Sequence, residues 1–505
     1  MAQNQEVSGS WGLSLAVTVV GAFMAILDSS IVNVAIPHIM LVFGVSTQSV
    51  QWIVTIYLLA LGVVVPLSGW LSDRVGMKQL YIASLLVFTF GSALSAIAPT
   101  LGFLIVARVI QAIGGGMIMP VTMSMVYRMV PRDRIGTAMG FWGLSLLLAP
   151  ALGPTLGGYL VQYVDWRWIF TINIPIGILG SMAAVAWLPS FSHRPAGRLD
   201  WLGTISSATG LFCLLFAFTE GQTWGWGAES IVFFFYAAAV ALVFFVFWEL
   251  YGAKEPLLDL RVFRYGSYTA SIIASVIINV GMFSALFFVP LFLQNLRGLS
   301  PFDTGLAMMP GALATGAVMP FAGRIYDRIG PVIPGVVGFV VMAYGTFLFH
   351  TMTATVPISL IVFWMIIRGL GMGLCMMPLM TGGMSVVPNA LIPRASAVQN
   401  IMQRIAGSFG IAILTSVMLN QQGAYAAQIG STVTAASPMA PAILAQGPSL
   451  LVTLWQAVQG EALIRAMDNV FVLAAALLLL AIIPVLFVRR HLNPDAEAAG
   501  LALVE

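Results

Sequence analysis

Residues Gly69–Leu80 read GWLSDRVGMKQL, and Gly323–Pro331 read GRIYDRIGP. Each has a Gly, an Asp-Arg pair four residues on, then another Gly, and each follows a long apolar run. Asp73 and Asp327 stand 254 residues apart. A second pair agrees: RVIQAIGGG from Arg108 and RGLGMG from Arg368 are 260 apart. Similar offsets for two separate motifs indicate duplication. Internal repeats mark transporter folds, with the substrate site between the halves near the bilayer midplane.

Composition agrees with a membrane chain. Of 505 residues, 60% are hydrophobic and only 8% are charged, against about 25% charged in soluble domains. This excludes a soluble globular enzyme and a disordered chain. A net charge of +3 with no basic face excludes a nucleic-acid partner. A spanning helix needs about 20 apolar residues. The long unbroken apolar runs read as such helices, not as the alternating segments of a barrel. Cys213 and Cys375 fall inside apolar runs and read as buried free thiols. The N-terminal apolar run lacks a basic lead and a cleavage site, so it reads as a retained helix.

Fourteen spans are predicted, at about 13–36, 50–70, 79–98, 102–125, 136–160, 167–188, 200–219, 230–250, 267–291, 304–325, 331–350, 355–379, 395–418 and 468–488. With the N-terminus in the cytoplasm, 15 of the 21 Lys and Arg fall on cytoplasmic segments, among them Arg74, Lys78, Arg194, Arg198, Arg328 and Arg394. That bias places both termini inside. The repeats assign 1–190 to an N-terminal six-helix bundle and 265–490 to a C-terminal one. Residues 200–250 are an inserted helix pair, and 491–505 a cytoplasmic tail. The external stretch 419–467 reads as a surface hairpin or short helices.

Several stretches then resemble one family. GWLSDRVGMK and LIVARVIQAIGGG are similar to the loop and fourth-helix motifs of the major facilitator superfamily. GLSLLLAPALGPTLGG, from Gly143 to Gly158, resembles its fifth-helix antiporter motif. LDSSIVNVAIP, WRWIFTINIPIG, RLDWLG and QRIAGSFGIA resemble motifs of the fourteen-helix drug:proton antiporters, the EmrB/QacA-like subfamily. Ala112, where Gly is usual, and Pro331, where a basic residue is common, depart from the pattern. The resemblance implies an all-α major facilitator fold of two six-helix bundles plus two inserted helices. It also implies proton-driven export of lipophilic, often cationic, drugs across a bacterial inner membrane. No cofactor and no enzymatic activity are implied; the drive is the proton gradient. The expected partners are lipophilic small molecules, protons and the bilayer, with the chain a monomer. A periplasmic adaptor is compatible, though no residue pattern specifies one.

Asp28 is the one carboxylate placed well inside a predicted span. An Asp at a helix centre costs about 2.5–3.5 kcal/mol to insert, so it needs a compensating use. It reads as a proton carrier and a seat for a cationic drug, or as a structural hydrogen-bonding group. Arg108 is its natural partner, either as a switch or as a permanent ion pair. Tyr57, Trp142, Phe283 and Trp364 are candidate aromatic cavity walls. Asn33, Gln111, Asn173, Asn279, Asn400, Gln403 and Arg404 are candidate polar contacts. Arg404 also suits a packing role beside Gly407 and Gly410. Gly143, Gly153, Gly157 and Gly158 suit close packing, and Pro150 and Pro154 a bend that gates. In the first loop, Gly69, Asp73, Arg74, Gly76 and Lys78 are conformational candidates, matched by Asp327 and Arg328 in the second. Asp73 is expected to cap the next helix or bond a neighbouring one, with Arg74 and Lys78 among anionic headgroups. His38, His193, His350 and His491 are dispersed, and no metal set is predicted. Competing readings are a dedicated exporter of one metabolite or lipid, a membrane-embedded enzyme, and a non-transporting scaffold.

Overall fold

The computed structural model describes residues 11–191, 199–254, 256–432 and 448–489. Arg194, Arg198, the tail 491–505 and the middle of the 419–467 stretch lie outside the described residues. Those that are described form helices and no strand.

In chain order the helices are α1 (Trp11–Phe43), α2 (Thr47–Val64), α3 (Leu67–Val75), α4 (Met77–Ala96), α5 (Leu101–Met129) and α6 (Ile135–Tyr163). They continue with α7 (Trp168–Thr171), α8 (Asn173–Trp187), α9 (Trp201–Trp224) and α10 (Glu229–Phe247). After these come α11 (Gly266–Leu291), α12 (Pro301–Ile329), α13 (Val332–Phe347), α14 (Ile358–Ser385), α15 (Ile392–Thr432), α16 (Pro448–Leu480) and α17 (Ile482–Val485). Twelve helices are long and apolar enough to cross a membrane. Two bent pairs, α2 with α3 and the two arms of α6, bring the total to fourteen if each crosses as one span.

The boundaries follow local chemistry. Ser46 and Thr100 cap α2 and α5 by accepting from Ser49 N and Phe103 N. Pro66 interrupts the second span, and its two arms bend by 57°. Gly76, with φ of 92°, turns the chain from α3 into α4. The arms of α6 bend by 41° between Pro150 and Thr155, over the stretch that holds Pro154.

Helices α1 to α8 form one half and α11 to α17 the other, and the most extensive helix pair, α6 with α12, crosses the seam between them. The loops carrying Arg74, Lys78 and Arg328 share one side of the molecule, termed the basic face; the opposite side is the far face. A set of hydrogen bonds and an ion pair joins the halves towards the basic face. Asp73 on α3 pairs with Arg394 on α15 at 3.6 Å. Asp327 on α12 accepts from the Gly136 and Thr137 backbone N–H at the start of α6, at 2.9 and 3.0 Å. Arg132 donates to Asn389 Oδ1, and the Tyr127 hydroxyl to the Met380 carbonyl. Beneath these contacts Met319, Met377 and Met380 belong to a buried core shared by both halves.

The inserted pair sits beside the seam. On α9, Phe216 meets Trp52 of α2 at 6.0 Å, and Phe218 meets Phe409 of α15 at 5.5 Å. Outside it, α10 exposes Phe233, Tyr236, Val240, Val243 and Phe247, a face suited to acyl chains.

The 419–467 stretch, expected as a surface hairpin or short helices, is entered from both sides by its flanking helices: α15 extends to Thr432 and α16 starts at Pro448. Ala- and Gln-rich sequence sustains helix without apolar burial. Gln422 bonds Gln459 and Asn469 bonds Tyr425, which ties the two helices side by side.

Candidate functional site

Asp28 lies on α1, fully buried in the N-terminal half. Helices α5 and α8 bring groups to it, and α4 and α2 brace those groups. Arg108 Nη1, from α5, meets Asp28 Oδ2 at 2.6 Å. Gln111 Nε2, one turn along α5, and Asn173 Nδ2, the first residue of α8, both donate to Asp28 Oδ1 at 2.8 Å. Arg108 Nη1 also donates to Gln111 Oε1. Ser92 Oγ on α4 accepts from Gln111 Nε2 at 2.6 Å and from Asn173 Nδ2 at 3.4 Å. Arg108 Nε reaches the Ile53 carbonyl of α2 at 3.4 Å. Its guanidinium lies 3.8 Å from the centre of the Tyr57 ring, also on α2.

Each carboxylate oxygen thus has donors, and the opposite charge sits against it. A buried ion pair survives desolvation when the remaining donors and acceptors are satisfied in this way. One polar atom is left over: Asn173 Oδ1 has no partner. The close approach of α4 to α5 depends on Gly91, where a Cβ would stand 2.5 Å from Gln111 Cα.

The second half repeats the scaffold without the acid. A Cβ on Gly345 of α13 would stand 2.5 Å from Arg368 N on α14, as Gly91 does with Gln111. Arg368 donates to the carbonyls of Gly281 and Met282 on α11, at 2.7 and 3.1 Å. Met282 is 254 residues beyond Asp28, the spacing of the repeated loops. Arg368 therefore stands where Gln111 stands in the first half and meets backbone carbonyls in place of a carboxylate.

The remaining candidates distribute as follows. Gln111 and Asn173 are buried and held by Asp28 instead of lining a cavity. Trp142 is buried and donates to Thr122 Oγ1. Trp364 stacks edge-on with Phe349 in the core of the C-terminal half. Asn279 and Asn400 bond carbonyls one turn back on their own helices. Asn33 is exposed and bonds Ser29 O. Phe283 packs where a Gly407 side chain would stand. Gln403 Nε2 points to Met380 Sδ at 3.7 Å. Arg404 is half-buried, with its Nε enclosed and without an acceptor.

Two loop readings change. Lys78 does not go to headgroups; its Nζ donates to the carbonyls of Val185 and Leu188, tying down the end of α8. Asp73 pairs with Arg394 across the seam, and Gly69 abuts the Arg394 backbone. Arg74 lies over the Trp70 ring, and Arg328 is exposed. The glycines of α6 divide. Gly143 faces Met377 and Met319 across the seam, while Gly153 and Gly157 pack on Ser30 and Ile31 of α1. Gly158 has only Val34 near it. The Pro150 carbonyl accepts from Ser30 Oγ at 3.2 Å. Ser92 and Arg394 carry parts of this geometry that their sequence context does not signal. A serine in a small-residue stretch and an arginine at a helix start have too many uses to single out.

Two repeated helical halves, an inserted pair and one enclosed ion pair define a multi-pass membrane transporter. The description Major Facilitator Superfamily matches residues 18–411, and the chain belongs to that family. It is 34% identical over 439 residues to the MFS-type transporter YhcA of Bacillus subtilis (strain 168), covering 87% of this chain and 82% of that one. It is 33% identical over 409 residues to a multidrug resistance protein B homolog of Mycobacterium tuberculosis (strain ATCC 25618 / H37Rv), covering 80% and 76%. Among solved structures, the proton:xylose symporter XylE with 6-bromo-6-deoxy-D-glucose superposes with a TM-score of 0.60 at 16% identity, covering 92% of this chain and 94% of that one.

Proposed function

We propose that the protein is a proton-coupled antiporter that exports lipophilic compounds across a bacterial cytoplasmic membrane, with both termini inside and the basic face cytoplasmic. The observation that carries this reading is the enclosed Asp28, with Arg108 stacked on Tyr57. A proton on Asp28 removes the charge that holds Arg108. Arg108 then loses its reason to stay against Tyr57. Its own helix, α5, packs on α15 and bonds the Met380 carbonyl through Tyr127, so proton occupancy in one half is felt where the halves meet. The ties at the basic face correspond to a state closed to the cytoplasm. Breaking them exposes the same seam from the other side, as alternating access requires. The similarity to a multidrug resistance homolog supports the direction and the lipophilic substrate class.

The test uses proteoliposomes loaded with a lipophilic fluorescent dye panel and given an imposed pH gradient. Dye movement against its own gradient, abolished by a protonophore and indifferent to sodium, is the expected result. Movement that follows a sodium gradient, or that never exceeds the dye's own gradient, would overturn the reading.

A further inference from the structure

We infer that the substrate seat at the seam is built for the acidic head of an amphipathic organic anion, with Arg404 as its counter-ion. This rests on the exporter reading above and narrows its substrate class. Arg404 is 12 residues into α15, about 18 Å along the helix. Tyr57 is 10 residues into α2 from the far face, about 15 Å along. Both therefore stand near the middle of a hydrocarbon layer about 30 Å thick. They come from opposite halves, and α15 packs against α5 and α9, the two helices that also flank α2.

Arg404 has no carboxylate. Among the described residues it makes no ion pair or hydrogen bond, and its Nε is buried without an acceptor. A guanidinium cannot shed its charge by losing a proton, and an uncompensated charge at mid-membrane is expensive. Arg108 satisfies the same demand with Asp28, and Arg368 partly, by donating from Nη2 to two backbone carbonyls while its Nε is likewise enclosed without an acceptor. Arg404 alone of the three is left for something that arrives. Asp28 is unavailable to balance a cationic guest, because Arg108, Gln111 and Asn173 already fill its oxygens. The seam thus offers unspent positive charge and no free carboxylate at this depth. A carboxylate, sulfonate or phenolate on an apolar body fits it. A lipophilic cation would meet Arg404 as a like charge.

The experiment is equilibrium binding to the purified full-length protein in nanodiscs, with empty nanodiscs subtracted. The probes are pyrenebutyrate and pyrenebutyl-trimethylammonium, which share a body and differ in the charge of the head. The parent protein is expected to bind the carboxylate at least about tenfold more tightly than the ammonium. That preference should fall to within about twofold in Arg404→Gln and persist in Arg404→Lys, which keeps the charge. Equal or tighter binding of the ammonium by the parent would overturn the assignment. So would an anion preference unchanged in Arg404→Gln, or no saturable binding of either probe. No proton gradient is present, so loss of this claim leaves proton coupling standing. Failure of gradient-driven transport leaves the charge preference readable.

Discussion

At the residue scale, the stability of the site hangs on pairing. Removing one partner of a buried ion pair leaves a charge without compensation, which costs roughly 3–5 kcal/mol. Arg108→Ala is therefore expected to lower the thermal unfolding temperature in detergent strongly, and adding Asp28→Asn to recover part of the loss. Equal, additive losses would show that the two side chains do not act on each other. Ser92→Ala removes the acceptor that Gln111 and Asn173 share, a loss of about 1–3 kcal/mol in the same assay. Asp28 and Arg108 were legible in the sequence because ionisable groups in apolar runs are rare. Gln111 and Asn173 were legible as polar and mid-span, but not as ligands of Asp28. Amide side chains serve a substrate or a carboxylate equally well, and only the approach of α4, α5 and α8 decides. Ser92 carried no signal, since it is one of several small residues in the stretch from Gly91 to Ala96 that closes α4.

At the element scale, α6 and α12 cross at the basic face on two glycines. A Cβ on Gly136 would stand 2.5 Å from the Tyr326 ring and 2.6 Å from Asp327 Oδ1. A Cβ on Gly323 would collide with the Gly136 carbonyl. Leucine at Gly136 is expected to pry these helices apart and favour the state open at the basic face. Spin labels on Asp133 and Arg324, both exposed, should then move several ångströms further apart; an unchanged distance would remove the crossing from the gating account. Reading α6 from its Gly and Pro content anticipated close packing and a bend. It did not anticipate that Gly143 faces the other half while Gly153 and Gly157 face α1. Helical periodicity gives faces and not neighbours. The helices α15 and α16 outrun the predicted spans 395–418 and 468–488 for a related reason. Hydropathy marks where a helix meets lipid, whereas the helix itself continues as long as its backbone and side chains allow.

At the scale of the whole molecule, the two repeated loops act as reciprocal clasps. Asp73 of the first half holds Arg394 of the second, and Asp327 of the second holds the start of α6 in the first. Asp73→Arg is expected to slow transport by loosening the closed face, and the exchange Asp73→Arg with Arg394→Asp to restore it. No restoration would mean that the pair's geometry, not its charge, matters. The duplication was legible from two offsets in the sequence, and with it the seam; which side of the seam is tied was not, because alternating states share one sequence. The central claim is that Asp28 carries the coupled proton. It is tested most directly by substrate-induced proton release from purified protein in weak buffer, parent against Asp28→Asn. Release by the parent and its loss in Asp28→Asn, with substrate still bound, is the predicted result. Release retained by Asp28→Asn would contradict the claim and move the proton to another acid, such as Glu220 or Asp468.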